Sequence, residues 1–199
     1  MLEYVSFKDL ITSITRGVQL KAEELNQLRT NLKTDKYYLM LSHITKGVLD
    51  LNNNPQYLRY IPENYNKYCI EEESLVISKI GLPLKTVVVE PQYNKKVLAT
   101  GNVYIAKIDN SKINIYYLQA YLQSEQGLQC LKDISKGKNI KNISLEQLMT
   151  LKIPVPTLYK QKMIANEYKL LLNEIKDLKK KIRIVEDSFT SLWASGLEE

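Results

Sequence analysis

The sequence predicts an α+β fold, with a globular mixed α/β domain over residues 1–156 and one long C-terminal coiled-coil helix over 157–195. Three observations predict it. Short runs of branched and aromatic residues, broken by turn residues, fill the first half of the chain. From Asn114 the apolar period becomes helical. After Thr157 an apolar seven-residue repeat runs on with no glycine or proline before Gly196.

The elements follow in order. Ser6 is a candidate N-cap for a single turn over Phe7–Leu10, leading to Ile11. Tyr37 to Ile44 reads as a strand ending at a Lys46-Gly47 turn. Ser74–Lys79 and Leu84–Glu90 read as two strands about Gly81-Leu82-Pro83. A further strand, Val97–Ile108, is interrupted at Gly101-Asn102. Ile115, Leu118, Tyr121 and Leu122 share one helical face, and this helix should end near Ser124. A short turn from Gly127 to Leu131 comes next. Ser144-Leu145-Glu146-Gln147 is a capping box, so a helix should begin there. Leu151–Val155 is a last strand, closed off by Pro154 and Pro156.

In the long helix, Ile164, Tyr168, Leu171, Ile175, Leu178, Ile182, Val185, Phe189 and Leu192 are spaced alternately four and three apart. That is the seam of a coiled coil. At about 1.5 Å per residue the rod from Thr157 to Trp193 would be roughly 55 Å long and outreach its own domain. A partner helix is therefore expected, and these nine residues are the candidate dimer interface. Glu174 can meet Lys179 in a parallel pair or Lys181 in an antiparallel one, so charge leaves the orientation open. The competing expectation is that the helix folds back on its own domain.

Composition narrows the class. Apolar residues make up 44% and charged residues 25%, which suits a globular chain with a sizeable core rather than disorder. No apolar run reaches the roughly 18 residues a membrane span needs, and Met1-Leu2-Glu3-Tyr4 lacks signal-peptide character. Cys69 and Cys130 stand apart without metal-ligand spacing, which favours a reducing cytoplasm and buried thiols. The formal charge is +6, and five of those six charges fall in residues 1–156. An anionic partner such as DNA fits this balance, as does plain solubility.

Catalytic patterns fail on inspection. Asn54-Pro55-Gln56-Tyr57 resembles the adenine-gripping tetrapeptide of amino-methyltransferases, but its third residue differs. The seven glycines never form Gly-x-Gly, so no methyl-donor loop is legible. Glu167-Tyr168-Lys169 sits on the long helix away from other acids, and Glu71-Glu72-Glu73 reads as a solvated charge run. His43 has no Cys or Asp partner at useful spacing. No phosphate-binding loop occurs. No catalysis, cofactor or metal is expected of this chain.

The residue types that remain suit DNA. Fourteen tyrosines accompany the lysines, and both commonly contact phosphates. Arg16, Gln19, Lys79, Lys85 and Asn102 stand at or near turns, and Lys136, Lys138, Asn139 and Lys141 crowd one loop. Arg, Lys, Asn and Gln read base edges in the grooves, so these nine residues are the candidate DNA contacts.

At the junction the pattern is more particular. Gly137, Ile143, Leu148, Ile153-Pro154-Val155-Pro156, Gln161 and Ile164 resemble the end of a target-recognition domain in type I restriction–modification specificity subunits. In that family an Ile-Pro-x-Pro exit leads to a long helix opening with Gln-x-x-Ile. Leu75-Val76-Ile77-Ser78-Lys79-Ile80-Gly81 and Tyr116-Tyr117-Leu118-Gln119-Ala120-Tyr121-Leu122 are similar to its central strand and following helix.

The resemblance implies a non-catalytic subunit that binds double-stranded DNA and an adenine methyltransferase subunit carrying S-adenosylmethionine. A restriction motor-nuclease subunit is a further implied partner. Members usually carry two recognition domains and two long helices, and this chain has one of each. A pair of copies joined by their helices would read a split, inverted-repeat site. Two other readings stay open: a protein-interaction adaptor with only non-specific DNA affinity, and a recognition module cut from a larger restriction–methylation enzyme.

Overall fold

The computed structural model describes residues 2–81, 83–91, 94–135 and 142–195. It is a mixed α/β structure carrying a long C-terminal helix, as the sequence predicts. The strands are β1 (Glu3–Ser6), β2 (Ile11–Arg16), β3 (Lys36–Leu39), β4 (Ile44–Thr45), β5 (Val48–Leu49), β6 (Ser74–Ser78), β7 (Thr86–Val88), β8 (Lys96–Ala99), β9 (Val103–Ile108) and β10 (Lys152–Val155). The helices are α1 (Ala22–Leu28), α2 (Ile115–Gln123), α3 (Glu125–Ile134), α4 (Leu145–Thr150) and α5 (Leu158–Ser195).

A four-stranded antiparallel sheet in the order β2-β9-β6-β7 forms the middle layer. Side chains alternate across it, as strand geometry requires. Leu75, Ile77, Tyr104 and Ala106 face a core shared with α2, α3 and α4. Val76, Val87, Val103 and Ile105 face a second core built on β3 and β8. With both faces covered, β6 is buried at every position, which explains why Leu75, Val76 and Ile77 are all apolar instead of alternating with polar residues. A third, smaller cluster lies beneath α1 around Val18, Leu28, Tyr38, Leu58 and Leu98.

The interruption at Gly101-Asn102 is a change of sheet. β8 pairs in parallel with β3, whereas β9 lies at the centre of the main sheet. The expected strand from Tyr37 to Ile44 is also divided. β3 stops at Leu39, a 3-10 turn takes Leu41–His43, and β4 follows. His43 imposes the break: its Nδ1 accepts from Met40 N at 3.1 Å, and its Nε2 lies 3.1 Å from Asn54 O and donates to it. Lys46 and Gly47 take positive φ in the turn that follows.

The capping expectations divide. Ser144 and Gln147 form the reciprocal box at the start of α4, with bonds of 3.2 and 2.9 Å. Asn114 caps α2 through its side chain, and Ser124 caps α3, which runs well past Leu131. Ser6 does not cap its turn. Its hydroxyl instead accepts Lys152 Nζ at 3.0 Å, across the β1–β10 pair.

Candidate nucleic-acid interface

At the end of β2 the chain passes tightly over the β8–β9 turn. Gly17 N donates to Val103 O at 3.1 Å and Val18 N to Ala99 O at 2.9 Å. A Cβ on Gly17 would stand 2.1 Å from Thr100 O, so a glycine is required at this crossing. Two side chains then pin the turn. Arg16 Nε donates to Gly101 O at 2.8 Å, and a terminal guanidinium nitrogen reaches Gln19 Oε1 at 3.4 Å. On the far side, Asn102 O accepts Lys79 N at 2.7 Å. Lys79 O in turn accepts Ile143 N at 2.9 Å, and the Tyr104 hydroxyl donates to Ile143 O at 3.0 Å.

Four of the predicted contact residues, Arg16, Gln19, Lys79 and Asn102, therefore share one edge despite their distance in sequence. Arg16 and Gln19 are exposed, and Lys79 and Asn102 half-buried. Among the described residues neither Arg16 nor Lys79 enters an ion pair. Burial pushes the Tyr104 phenol up, and the nearby Arg16 charge pulls against it. Positive charge without a local acid attracts phosphates. Lys136, Lys138, Asn139 and Lys141 lie outside the described residues.

Lys85 departs from the prediction. Its Nζ donates to Leu41 O at 2.7 Å from a half-buried position, so its ammonium braces the 3-10 turn before β4.

The long helix also departs from a freely projecting rod. Gln161, Ala165 and Leu172 are buried against the domain, and α5 packs along α2. Gln161 makes the joint: its Oε1 accepts Asn114 N at 2.8 Å and its Nε2 donates to Pro156 O at 2.9 Å. Farther along, contacts become polar. Lys176 pairs with Glu90, Lys179 Nζ donates to Thr45 O at 3.3 Å, and Arg183 grips both carboxylate oxygens of Asp50 at 3.0 and 2.8 Å. Burial lowers the Lys179 pKa, with Asp50 opposing the shift and Arg183, Lys46 and Lys85 adding to it.

Tyr168 belongs to this docked face. Its hydroxyl lies beside Gly47 without a hydrogen-bond partner among the described residues, and burial pushes its pKa up to about 12. Ile175 is half-buried. The other seam residues, Ile164, Leu171, Leu178, Ile182, Val185, Phe189 and Leu192, stay 42–69% exposed. The helix thus has two working faces, one docked and one open. Periodicity missed the first because its residues include a glutamine and an alanine, which carry little hydropathy signal. Nothing local in the sequence links Asp50 to Arg183 or Gly101 to Arg16.

Residues 3–186 match the family described as the type I restriction modification DNA specificity domain. The chain belongs to that family. Its fold is similar to that of the type I restriction–modification S subunit from M. genitalium, at 15% identity and a TM-score of 0.65, over 94% of this chain and 43% of that one. It is also similar to the HsdS subunit from Thermoanaerobacter tengcongensis, at 12% identity and a TM-score of 0.55, over 90% and 39% respectively. The type IIG restriction endonuclease BpuSI shares the fold over 83% of this chain and 26% of its own, at 11% identity and a TM-score of 0.61. The chain spans less than half the length of the S subunits it matches. No curated protein matches its sequence.

Proposed function

We propose that this chain is a non-catalytic, sequence-specific DNA-binding specificity subunit of a type I restriction–modification system, working as a homodimer. The edge bearing Arg16, Gln19, Lys79 and Asn102 meets double-stranded DNA. The open face of α5 pairs with the same face of a second copy, and the two readers take a bipartite inverted-repeat site. An adenine methyltransferase subunit docks on the assembly and supplies the chemistry, joined in a cleaving system by a restriction motor-nuclease subunit.

The single observation that carries this reading is the pair of helix faces. One face is spent on the chain's own domain, and on a second face the apolar residues from Ile164 to Leu192, Tyr168 and Ile175 apart, remain exposed. Exposed apolar area of this extent marks an association surface. The mass of the purified chain by light scattering tests it. A dimer that Leu178→Asp with Ile182→Asp converts to a folded monomer is the expected result. A monomer at every concentration, or a selected target without two-fold symmetry, would overturn it.

A further inference from the structure

We infer that Gln19 reads guanine as a pure hydrogen-bond donor, set in that state by Arg16 and Gly101. The inference rests on the DNA-reading proposal above and deepens it. A free glutamine usually reads adenine with both ends of its amide, accepting from N6 and donating to N7. Gln19 is not free in that sense. A guanidinium offers only donors, so the amide group turned towards Arg16 is the oxygen, at 3.4 Å.

The Arg16 side chain is itself anchored through Nε to Gly101 O at 2.8 Å and so holds its place. Gly101 leaves room for the arrangement: a Cβ there would lie 2.6 Å from Gln19 Oε1. With the oxygen held on the Arg16 side and one of its lone pairs taken, the Nε2 hydrogens are what this exposed side chain offers a base. Guanine is the base whose major-groove edge offers two adjacent acceptors, O6 and N7, with no donor beside them. Gln19 therefore takes guanine and rejects adenine. Arg16 acts on the base through Gln19, as a positioning residue, and its charge adds to the field that draws phosphates to this edge.

Selection of bound duplexes from a random library by the purified full-length chain tests this. The wild type should select one guanine per half-site that depends on Gln19, preferred by roughly 5- to 150-fold. Gln19→Ala should erase that one preference and leave the other positions intact. Gly101→Ala should do the same without touching DNA, because its methyl group would meet Gln19 Oε1 at 2.6 Å and press on Gln19 Cα and Cβ at 3.2 and 3.3 Å, displacing the amide. Gln19→Glu keeps one oxygen for Arg16 and turns the other outwards, so the preference should pass to cytosine, whose N4 donates.

An adenine at the Gln19-dependent position would overturn the inference. So would a guanine preference that survives Gln19→Ala and Gly101→Ala but is lost in Arg16→Ala, which would make Arg16 the reader. A wild-type motif unchanged in all the variants sinks the Gln19 assignment alone. A wild-type chain that selects no motif sinks the DNA-reading proposal, and the assignment with it. Unaltered melting of Gln19→Ala and Gly101→Ala confirms that folding is not what has changed.

Discussion

Gln161 joins the long helix to the domain, and replacing it should cost more than any other single polar change on α5. Its side chain is 1% exposed and satisfies two backbone groups, Asn114 N–H and Pro156 C=O. Gln161→Ala strands both. An unsatisfied buried group costs about 1–3 kcal/mol; because Asn114 and Pro156 are half-buried, the lower part of that range applies to each. Adding the void, the total comes to about 2–4 kcal/mol. For a chain of this size that lowers the melting temperature by roughly 5–15 °C.

Gln161→Glu separates the two bonds. The carboxylate still accepts from Asn114 N but sets a negative oxygen against Pro156 O. Proximity to the N-terminus of α5 favours that charge by only about 0.3–1 kcal/mol, which is less than the cost of the lost bond and the burial. The folded pKa of the introduced carboxyl should therefore rise above its unfolded value of about 4.3. A raised folded pKa stabilises below the unfolded value, and that contribution is lost as pH rises through the folded one. Urea unfolding at pH 5 and pH 8 should accordingly show the Gln161→Glu variant closer to wild type at pH 5. An equal deficit at both pH values, or a Gln161→Ala variant within about 0.5 kcal/mol of wild type, would refute the reasoning, since the expected loss is about 2–4 kcal/mol.

Three further outcomes are expected. Burial lowers the His43 pKa below 6.5, so the unfolded chain binds this proton more readily, and stability should fall as pH drops below 6.5. His43→Gln should flatten that part of the stability curve in urea titrations. Lys85→Met should cost about 0.5–1.5 kcal/mol in stability through its lost carbonyl bond, yet leave the salt slope of DNA binding unchanged. Arg183→Ala should cost under about 1 kcal/mol, since the pair is partly solvated, but hydrogen exchange should quicken around residues 179–189 while residues 161–172 stay protected.

Long features were legible in the sequence because they repeat. The seven-residue period of α5 and the face shared by Ile115, Leu118, Tyr121 and Leu122 average over many positions. β1, β2, β5 and α1 were not legible: β1 and β2 are held by the distant strands β10 and β9, β5 is only two residues long in a hairpin with β4, and α1 spans seven residues. The division of the strand after Leu39 depends on a histidine whose acceptor lies eleven residues on, at Asn54. Candidate contacts could be chosen by residue type, but nothing in the sequence brings Arg16 to Gly101, 85 positions away, or aims Lys85 at Leu41. The β2–β9 register decides the first, and the packing of β5 against β7 the second.

The pairing of β1 with β10 has a consequence for how such a chain can change. Ser6 and Lys152 are register partners, so their Cα atoms lie about 4.5–5.5 Å apart, the spacing of facing residues in an antiparallel ladder. Everything between them leaves and returns through one narrow gate beside the root of α5. A cut at these two points releases the whole reader and leaves strand, exit prolines and helix behind as a socket. On the function proposed above, exchange of the segment between these two points would alter the word recognised while the strand, the exit prolines and the long helix stay the same.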